Sequence, residues 1–331
     1  MSFLLDIKNL SILFYTDQYP LKVVSDLSFY IKTAEVFGLA GESGCGKSLT
    51  ALSILRILPP HTYTEGEIFF DNKNLQSLGD EEMRQIRGKN IAMVFQEPMT
   101  SLNPVLTVGY QIAETLIAHL GLSKKAAMDA AVDLLRSVKM PAPELRVKDY
   151  PHQLSGGMRQ RVMIAMAIAC NPFLLIADEP TTALDVTIEA QILSLLRELR
   201  RERNMAILLI THDLSIISEQ ADRVAIMYAG RIMELADVRE LFENTSNPYT
   251  IGLLQSLPVS RGKNLKPIPG FVPSPGHLPD GCKFSDRCFA MVHECTLAEP
   301  ELEKAADNHY SRCIRWKDIQ GGYRGNTFTI S

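Results

Sequence analysis

Gly41-Glu42-Ser43-Gly44-Cys45-Gly46-Lys47-Ser48 is the stretch whose reading decides the fold. It fits the spacing G-x-x-x-x-G-K-[ST]. A buried-strand pattern precedes it (EVFGLA, 35–40) and an amphipathic helix pattern follows it (SLTALSILRIL, 48–58). A phosphate loop requires that strand–loop–helix context. The glycines let the backbone curl until successive N–H groups point inward at phosphate oxygens. The helix N-terminus adds a favourable dipole. Lys47 can reach the β- and γ-phosphates, and the Ser48 hydroxyl can ligate Mg²⁺. Nucleotide contacts are therefore expected along the whole loop, Gly41 through Ser48, and at Leu49 just beyond it.

A metal-bound triphosphate also needs a carboxylate and an attacking water. Phe173-Leu174-Leu175-Ile176-Ala177-Asp178-Glu179 supplies both candidates. Its apolar run reads as a strand buried on both faces, and the C-terminal ends of such strands are where α/β sheets place ligands. Asp178 at that tip could hold Mg²⁺, and Glu179 could polarise the hydrolytic water. Alone, Asp178-Glu179-Pro180 could equally cap the next helix. Beside a phosphate loop, the carboxylate reading prevails. A second anion site is expected at Ser155-Gly156-Gly157, which opens a helix with bare N–H groups and a hydroxyl.

Composition narrows the class. The 331 residues are 46% hydrophobic and 22% charged, ordinary for a globular protein with a substantial core. Lys plus Arg number 34 and Asp plus Glu 38, so the net charge of −4 argues against sequence-independent nucleic-acid binding. The longest apolar stretch, Val162–Cys170, falls well short of the roughly 20 residues that span a bilayer. MSFLLDIKNL shows no basic segment followed by an apolar one, so a cytoplasmic location is expected unless a partner holds the chain to a membrane.

The texture changes along the chain. Residues 1–95 read as short strands with a helix after Lys47, residues 100–170 as mostly helical, with helix formers at 111–137 and 158–169. Residues 172–236 alternate strand and helix, the pattern of parallel strands with crossover helices. Six prolines between Pro258 and Pro279 predict an extended linker, with a boundary around 245–265. Of the six cysteines, four fall within 282–313, which in a reducing compartment reads as metal or cofactor ligation before disulfides.

Leu154-Ser155-Gly156-Gly157-Met158-Arg159-Gln160, lying between the two phosphate-site motifs, resembles the signature of the ATP-binding cassette (ABC) ATPases. The resemblance covers roughly residues 4–255. It implies a RecA-like P-loop α/β fold with an antiparallel β-subdomain, a helical subdomain around 98–165, and a cassette spanning 1–255. It implies head-to-tail dimers in which one subunit's Ser155–Gly157 turn covers the γ-phosphate held by the other. Gln96 matches the Q-loop, joining Mg²⁺ and γ-phosphate to the helical subdomain. Ala183-Leu184-Asp185 matches the D-loop, and His212 the histidine that contacts γ-phosphate and orients the water. The adenine-stacking aromatic is expected at Tyr19, with Phe14 and Tyr15 as rivals.

Asn247-Pro248-Tyr249-Thr250 and the four cysteines also look like the C-terminal extension of peptide and nickel importer ATPases, placed here at 256–331. Cys282, Cys288, Cys295 and Cys313 are spaced C-x5-C-x6-C-x17-C, looser than the tight pairs of structural zinc sites. A structural [4Fe–4S] cluster is preferred, with zinc or unliganded thiols as alternatives. His309 reads as a structural histidine rather than a ligand. The implied function is the ATP-hydrolysing subunit of an importer for di- and oligopeptides, on the cytoplasmic face of the membrane. Its implied partners are two multi-span permeases, a second and different ATPase chain in preference to a homodimer, and indirectly an extracellular binding protein. Import of nickel or another solute, export, and a soluble ATPase acting on nucleic acid or ribosomes are the rivals.

Overall fold

The computed structural model describes residues 3–15, 20–96, 101–182, 184–257 and 267–322. Two sheets form the frame. One has four antiparallel strands in the order β2-β1-β4-β5: β1 (Leu5–Tyr15), β2 (Pro20–Ile31), β4 (Thr62–Phe70) and β5 (Lys73–Asn74). The other has eight, in the order β11-β12-β10-β9-β3-β8-β7-β6. Its parallel centre comprises β3 (Val36–Ala40), β6 (Ile91–Val94), β7 (Leu174–Asp178), β8 (Ala206–Thr211) and β9 (Arg223–Tyr228). β10 (Arg231–Asp237), β11 (Glu303–Ala306) and β12 (His309–Ser311) run antiparallel at one edge.

Every residue of β3, β7, β8 and β9 is buried. Because side chains alternate across a sheet, each strand feeds two cores. Leu174, Ile176, Leu208 and Ile210 pack with Leu5, Ile7 and Phe29 of the antiparallel sheet and Ile54 of the helix Lys47–Ile54. Leu175, Ala177, Ile207 and Leu209 join the other core, shared with the helices Val108–Leu120, Gly156–Ala167 and Val186–Arg203. Among the described residues no helix is long and apolar enough to cross a membrane.

Two local readings change. The run of helix formers at 111–137 divides into Val108–Leu120 and Lys124–Ser137. Gly121 closes the first in a left-handed conformation (φ 65°), and the Ser123 hydroxyl caps the second. The stretch RVAIMYAGRIME, included in the parallel alternation, is instead an antiparallel hairpin of β9 and β10. Ala229 and Gly230 both have positive φ (45° and 79°), the geometry of a tight hairpin turn.

The cysteine-bearing segment packs back onto the core, because β12 pairs with β10 (Glu234↔Ser311, Leu235↔Tyr310). A buried polar cluster fastens it. His309 Nε2 meets Glu234 Oε1 at 2.7 Å, and both side chains are 0% exposed. The Ser246 hydroxyl and backbone N–H both donate to the same Glu234 oxygen, at 2.9 and 2.7 Å. Ser311 Oγ donates to Ser246 O at 3.0 Å, and Glu240 lies 3.6 Å from His309 Nδ1. Burial pushes the His309 imidazole down, but the Glu234 carboxylate outweighs it and holds the group above its ordinary value. The raised value means that the ion pair contributes fully below the unfolded pKa, about 6.5, and fades as pH climbs through the folded value. His309→Asn leaves the buried Glu234 carboxylate without its cation and should cost about 3 kcal/mol in acid to neutral solution. The deficit should shrink steadily at higher pH, as read from denaturant unfolding across a pH series.

Candidate functional site

β3 delivers the chain into the glycine loop. Gly41 adopts φ 148°, and a Cβ there would lie 2.1 Å from Met227 O, so no other residue fits. Lys47 is buried, and its ammonium donates to Gly41 O at 2.8 Å and Glu42 O at 3.0 Å. The cation is thus held inside the loop, ready for phosphate oxygens. Tyr249 Oη accepts from the Glu42 N–H at 3.0 Å. Ser48, in the first turn of the helix, donates from its hydroxyl to Asp178 Oδ1 at 3.1 Å.

Asp178 ends β7 and is buried. Burial pushes its carboxyl above the usual range, the Ser48 hydrogen bond opposes this, and the neighbouring Glu179 charge adds to it. A carboxylate short of compensating charge, touching a hydroxyl, is a donor set suited to Mg²⁺, which binds through one or two carboxylates together with substrate phosphates. Glu179 turns the chain with φ 44°, a left-handed conformation rare outside glycine, while its N–H donates to Ile210 O at 2.9 Å. Its carboxylate is held from three sides. Gln96 Nε2 donates to Oε2 at 3.0 Å, Thr182 Oγ1 donates to the same oxygen at 2.9 Å, and His212 Nδ1 lies 3.2 Å from Oε1. Burial pushes the group up, but the Thr182 and His212 hydrogen bonds outweigh it and keep it below the usual carboxylate range. An ionised Glu179 is the form that can polarise a water.

The structure therefore brings Ser48, Gln96, Asp178, Glu179 and His212 into one network beside Lys47. Gln96 is drawn to Glu179. Ser155, Gly156 and Gly157 stand elsewhere: Ser155 Oγ caps its own helix by accepting from the Met158 N–H at 3.4 Å. A Cβ on Gly157 would lie 2.7 Å from Ile188 Cγ2, so this glycine also serves close packing against the helix Val186–Arg203. Asp185 caps that helix, accepting from the Ile188 N–H at 3.0 Å. Tyr19 and Ala183 lie outside the described residues; of the rival aromatics, Phe14 is half-buried and Tyr15 exposed at the end of β1. Sequence reasoning missed Thr182 and the role of Tyr249. The first sits two residues past Pro180 in an otherwise unmarked Thr pair. The second was visible only as part of Asn247–Thr250.

The six cysteines are free. Cys282 and Cys295 are joined through the backbone, the Cys282 N–H donating to Cys295 O at 2.8 Å. Burial first, then the neighbouring thiols, push Cys288 up to about 11 and Cys313 up to about 12. Among the described residues no three His, Cys, Asp or Glu side chains are grouped to hold a metal ion. An open apolar groove of about 380 Å³ is lined by Ile57, Phe95, Leu102, His119, Met163 and Met166.

A parallel sheet whose strand ends carry a lysine-bearing glycine loop, a buried aspartate and a clamped glutamate defines a P-loop nucleoside triphosphatase. Residues 24–182 match the ABC transporter family, and residues 233–295 match the oligopeptide/dipeptide transporter C-terminal region. The oligopeptide transport ATP-binding protein AppD of Bacillus subtilis is 48% identical, over 96% of this chain and 98% of its own. OppD of Haemophilus influenzae, also an oligopeptide transport ATP-binding protein, is 47% identical over 91% and 94%. A solved dimeric ATP-binding cassette, in a post-hydrolysis state with ADP and phosphate, superposes with a TM-score of 0.64 at 30% identity, over 71% of this chain and 99% of its own. The chain belongs to the ABC transporter ATP-binding proteins, in their oligopeptide/dipeptide group. Replacing Lys47 with Ala removes the charged donor from the loop. It should weaken MgATP binding by at least about tenfold, measured by titration with a fluorescent nucleotide.

Proposed function

We propose that this chain hydrolyses ATP to drive uptake of di- and oligopeptides, as the energy-supplying subunit on the cytoplasmic face of a membrane transporter. The observation that carries the reading is the clamping of Glu179 by Gln96, Thr182 and His212 within reach of the Ser48–Asp178 pair. Loop 41–48 binds the triphosphate through its N–H groups, and Lys47 leaves the Gly41 and Glu42 carbonyls for the phosphates. Ser48, Asp178 and Gln96 would hold Mg²⁺, which supplies neutralising charge as the phosphate bond breaks. Glu179, ionised, accepts a hydrogen bond from the attacking water, and His212 steadies that carboxylate. Ser155–Gly157 of a second ATPase chain, different from this one, closes over the γ-phosphate; the exposed Ser155 at the head of a 12-residue helix supports this.

The groove between Phe95 and Met163 supports docking of a permease's cytoplasmic helix. Phe95 in its lining directly precedes Gln96 in the chain, so closure on ATP would reach the permease through the residue that holds Glu179. Two such permeases and an extracellular binding protein complete the transporter. Peptide as the cargo rests on the oligopeptide/dipeptide match at 233–295 and on the names of the relatives.

On their loose C-x5-C-x6-C-x17-C spacing, we assign the four thiols a structural [4Fe–4S] cluster. Anaerobically purified protein should contain about four iron and four sulfide per chain. A colourless preparation without either defeats this assignment. Glu179→Gln should lower ATP turnover by about a thousandfold while retaining nucleotide binding. Cells lacking this chain should lose uptake of labelled di- and tripeptides, and recover it with the wild-type chain but not with Glu179→Gln. Unchanged peptide uptake alongside loss of nickel uptake would overturn the cargo.

A further inference from the structure

Glu42 is an odd residue for a phosphate cradle. It is the one acidic side chain in 41–48, and an uncompensated carboxylate there would repel the triphosphate the loop has to bind. The structure supplies the compensation from 245 residues away in sequence. Arg287 grips the Glu42 carboxylate with both ends of its guanidinium, Nη1 to Oε2 at 2.8 Å and Nη2 to Oε1 at 3.0 Å. Two parallel charge-assisted bonds fix orientation as well as distance.

Arg287 is itself locked. Its side chain is 6% exposed. Nε donates to Pro269 O at 2.8 Å, and the guanidinium lies 5.6 Å from the Tyr228 ring and 6.0 Å from the Phe284 ring. Tyr228, Tyr249 and Phe284 pack on one another with ring centres 4.8 to 5.3 Å apart. Tyr249 from this cluster accepts the Glu42 N–H, so Glu42 is held at backbone and side chain by one aromatic block. The turn carrying Arg287 runs between two cysteines, with Ser285 N–H donating to Cys282 O at 2.9 Å and Cys288 N–H to Ser285 O at 3.2 Å. Glu42 O in turn accepts from Lys47, at 3.0 Å. The contacts thus run unbroken from the cysteine segment to the phosphate-binding lysine.

We propose that Arg287 is a positioning residue for the nucleotide: it cancels the Glu42 charge and sets the loop that presents Lys47, making the C-terminal segment a working part of the ATP site. The proposal rests on loop 41–48 being the phosphate site, and it goes beyond that reading by adding a residue from outside the cassette motifs. A contact that merely docks the segment would behave differently. If Arg287 serves only to hold two parts together, removing Glu42 as well cannot repair its loss. If it neutralises a carboxylate facing the triphosphate, removing that carboxylate restores binding.

The full chain is compared as wild type, Arg287→Met, Glu42→Gln, the Arg287→Met/Glu42→Gln double variant and Lys47→Ala, by fluorescent-ATP titration at low and high salt, steady-state hydrolysis and thermal unfolding. Arg287→Met should weaken ATP binding about tenfold, with the double variant recovering to within about threefold of wild type. KM should rise while kcat changes little, and the loss should narrow at high salt, as expected of charge acting across water. Should Arg287→Met not fold, Glu42→Gln decides alone. It keeps an acceptor for Arg287 while removing the charge, and should bind ATP about twofold tighter than wild type. Arg287→Met binding within about twofold of wild type, a double variant no better than the single, or Glu42→Gln binding more weakly than wild type would each overturn the proposal. Lys47→Ala separates the two levels. If it binds ATP normally, the reading of the loop fails; if it loses ATP while Arg287→Met does not, only the role of Arg287 fails.

Discussion

Strands β3, β7, β8 and β9 are buried from end to end, and a fully buried strand has nowhere to put a charge except at its tips. The parallel arrangement then collects those tips on one edge. β3 ends in the glycine loop, β7 in Asp178 and Glu179, and β8 in Thr211 and His212. Chemistry-bearing residues from three distant parts of the sequence meet because the strands pair side by side in register, Asp178 opposite Ile210 and Ala40 opposite Thr211. The hydrogen bonds Ser48–Asp178 and His212–Glu179 are consequences of that geometry.

The same constraint explains the different fates of two adjacent acids. Asp178 is the last strand residue and stays in the buried layer, so its charge is costly and calls for a cation. Glu179 leaves the strand through a positive-φ turn and emerges among donors, so its charge is stabilised. One residue of displacement along the chain therefore separates a buried carboxylate short of compensating charge from one that is stabilised in its ionised form. The conformation at Glu179 is the local strain by which the site obtains both.

What was legible in the sequence was local. The glycine loop, Asp178-Glu179 and the Ser155–Gly157 turn are contiguous motifs whose chemistry follows from residue type and spacing, and buried parallel strands announce themselves as apolar runs. His212 and Gln96 needed a family resemblance, since a lone polar residue at a strand end carries no signal of its own partner. The hairpin of β9 and β10 escaped because Ala229-Gly230 looks like a weak turn until its φ angles are known. The docking of the C-terminal segment escaped for a deeper reason. Its determinants are pairs, Glu234 with His309 and Glu42 with Arg287, and each half is an unremarkable charged residue until the fold supplies the other.

Those pairs also show why the segment's apolar packing through Phe284 is joined by polar contacts at the loop. The loop it touches has to accept a highly charged ligand, so an apolar seal against Glu42 would strand a carboxylate without water or partner. A guanidinium solves both problems, because its planar face packs on Tyr228 and Phe284 while its edge satisfies Glu42. Lysine could supply the charge but not the flat face or the fork. The residue type at 287 thus follows from its two neighbours: an aromatic block on one side, and on the other an acid inside an anion-binding loop.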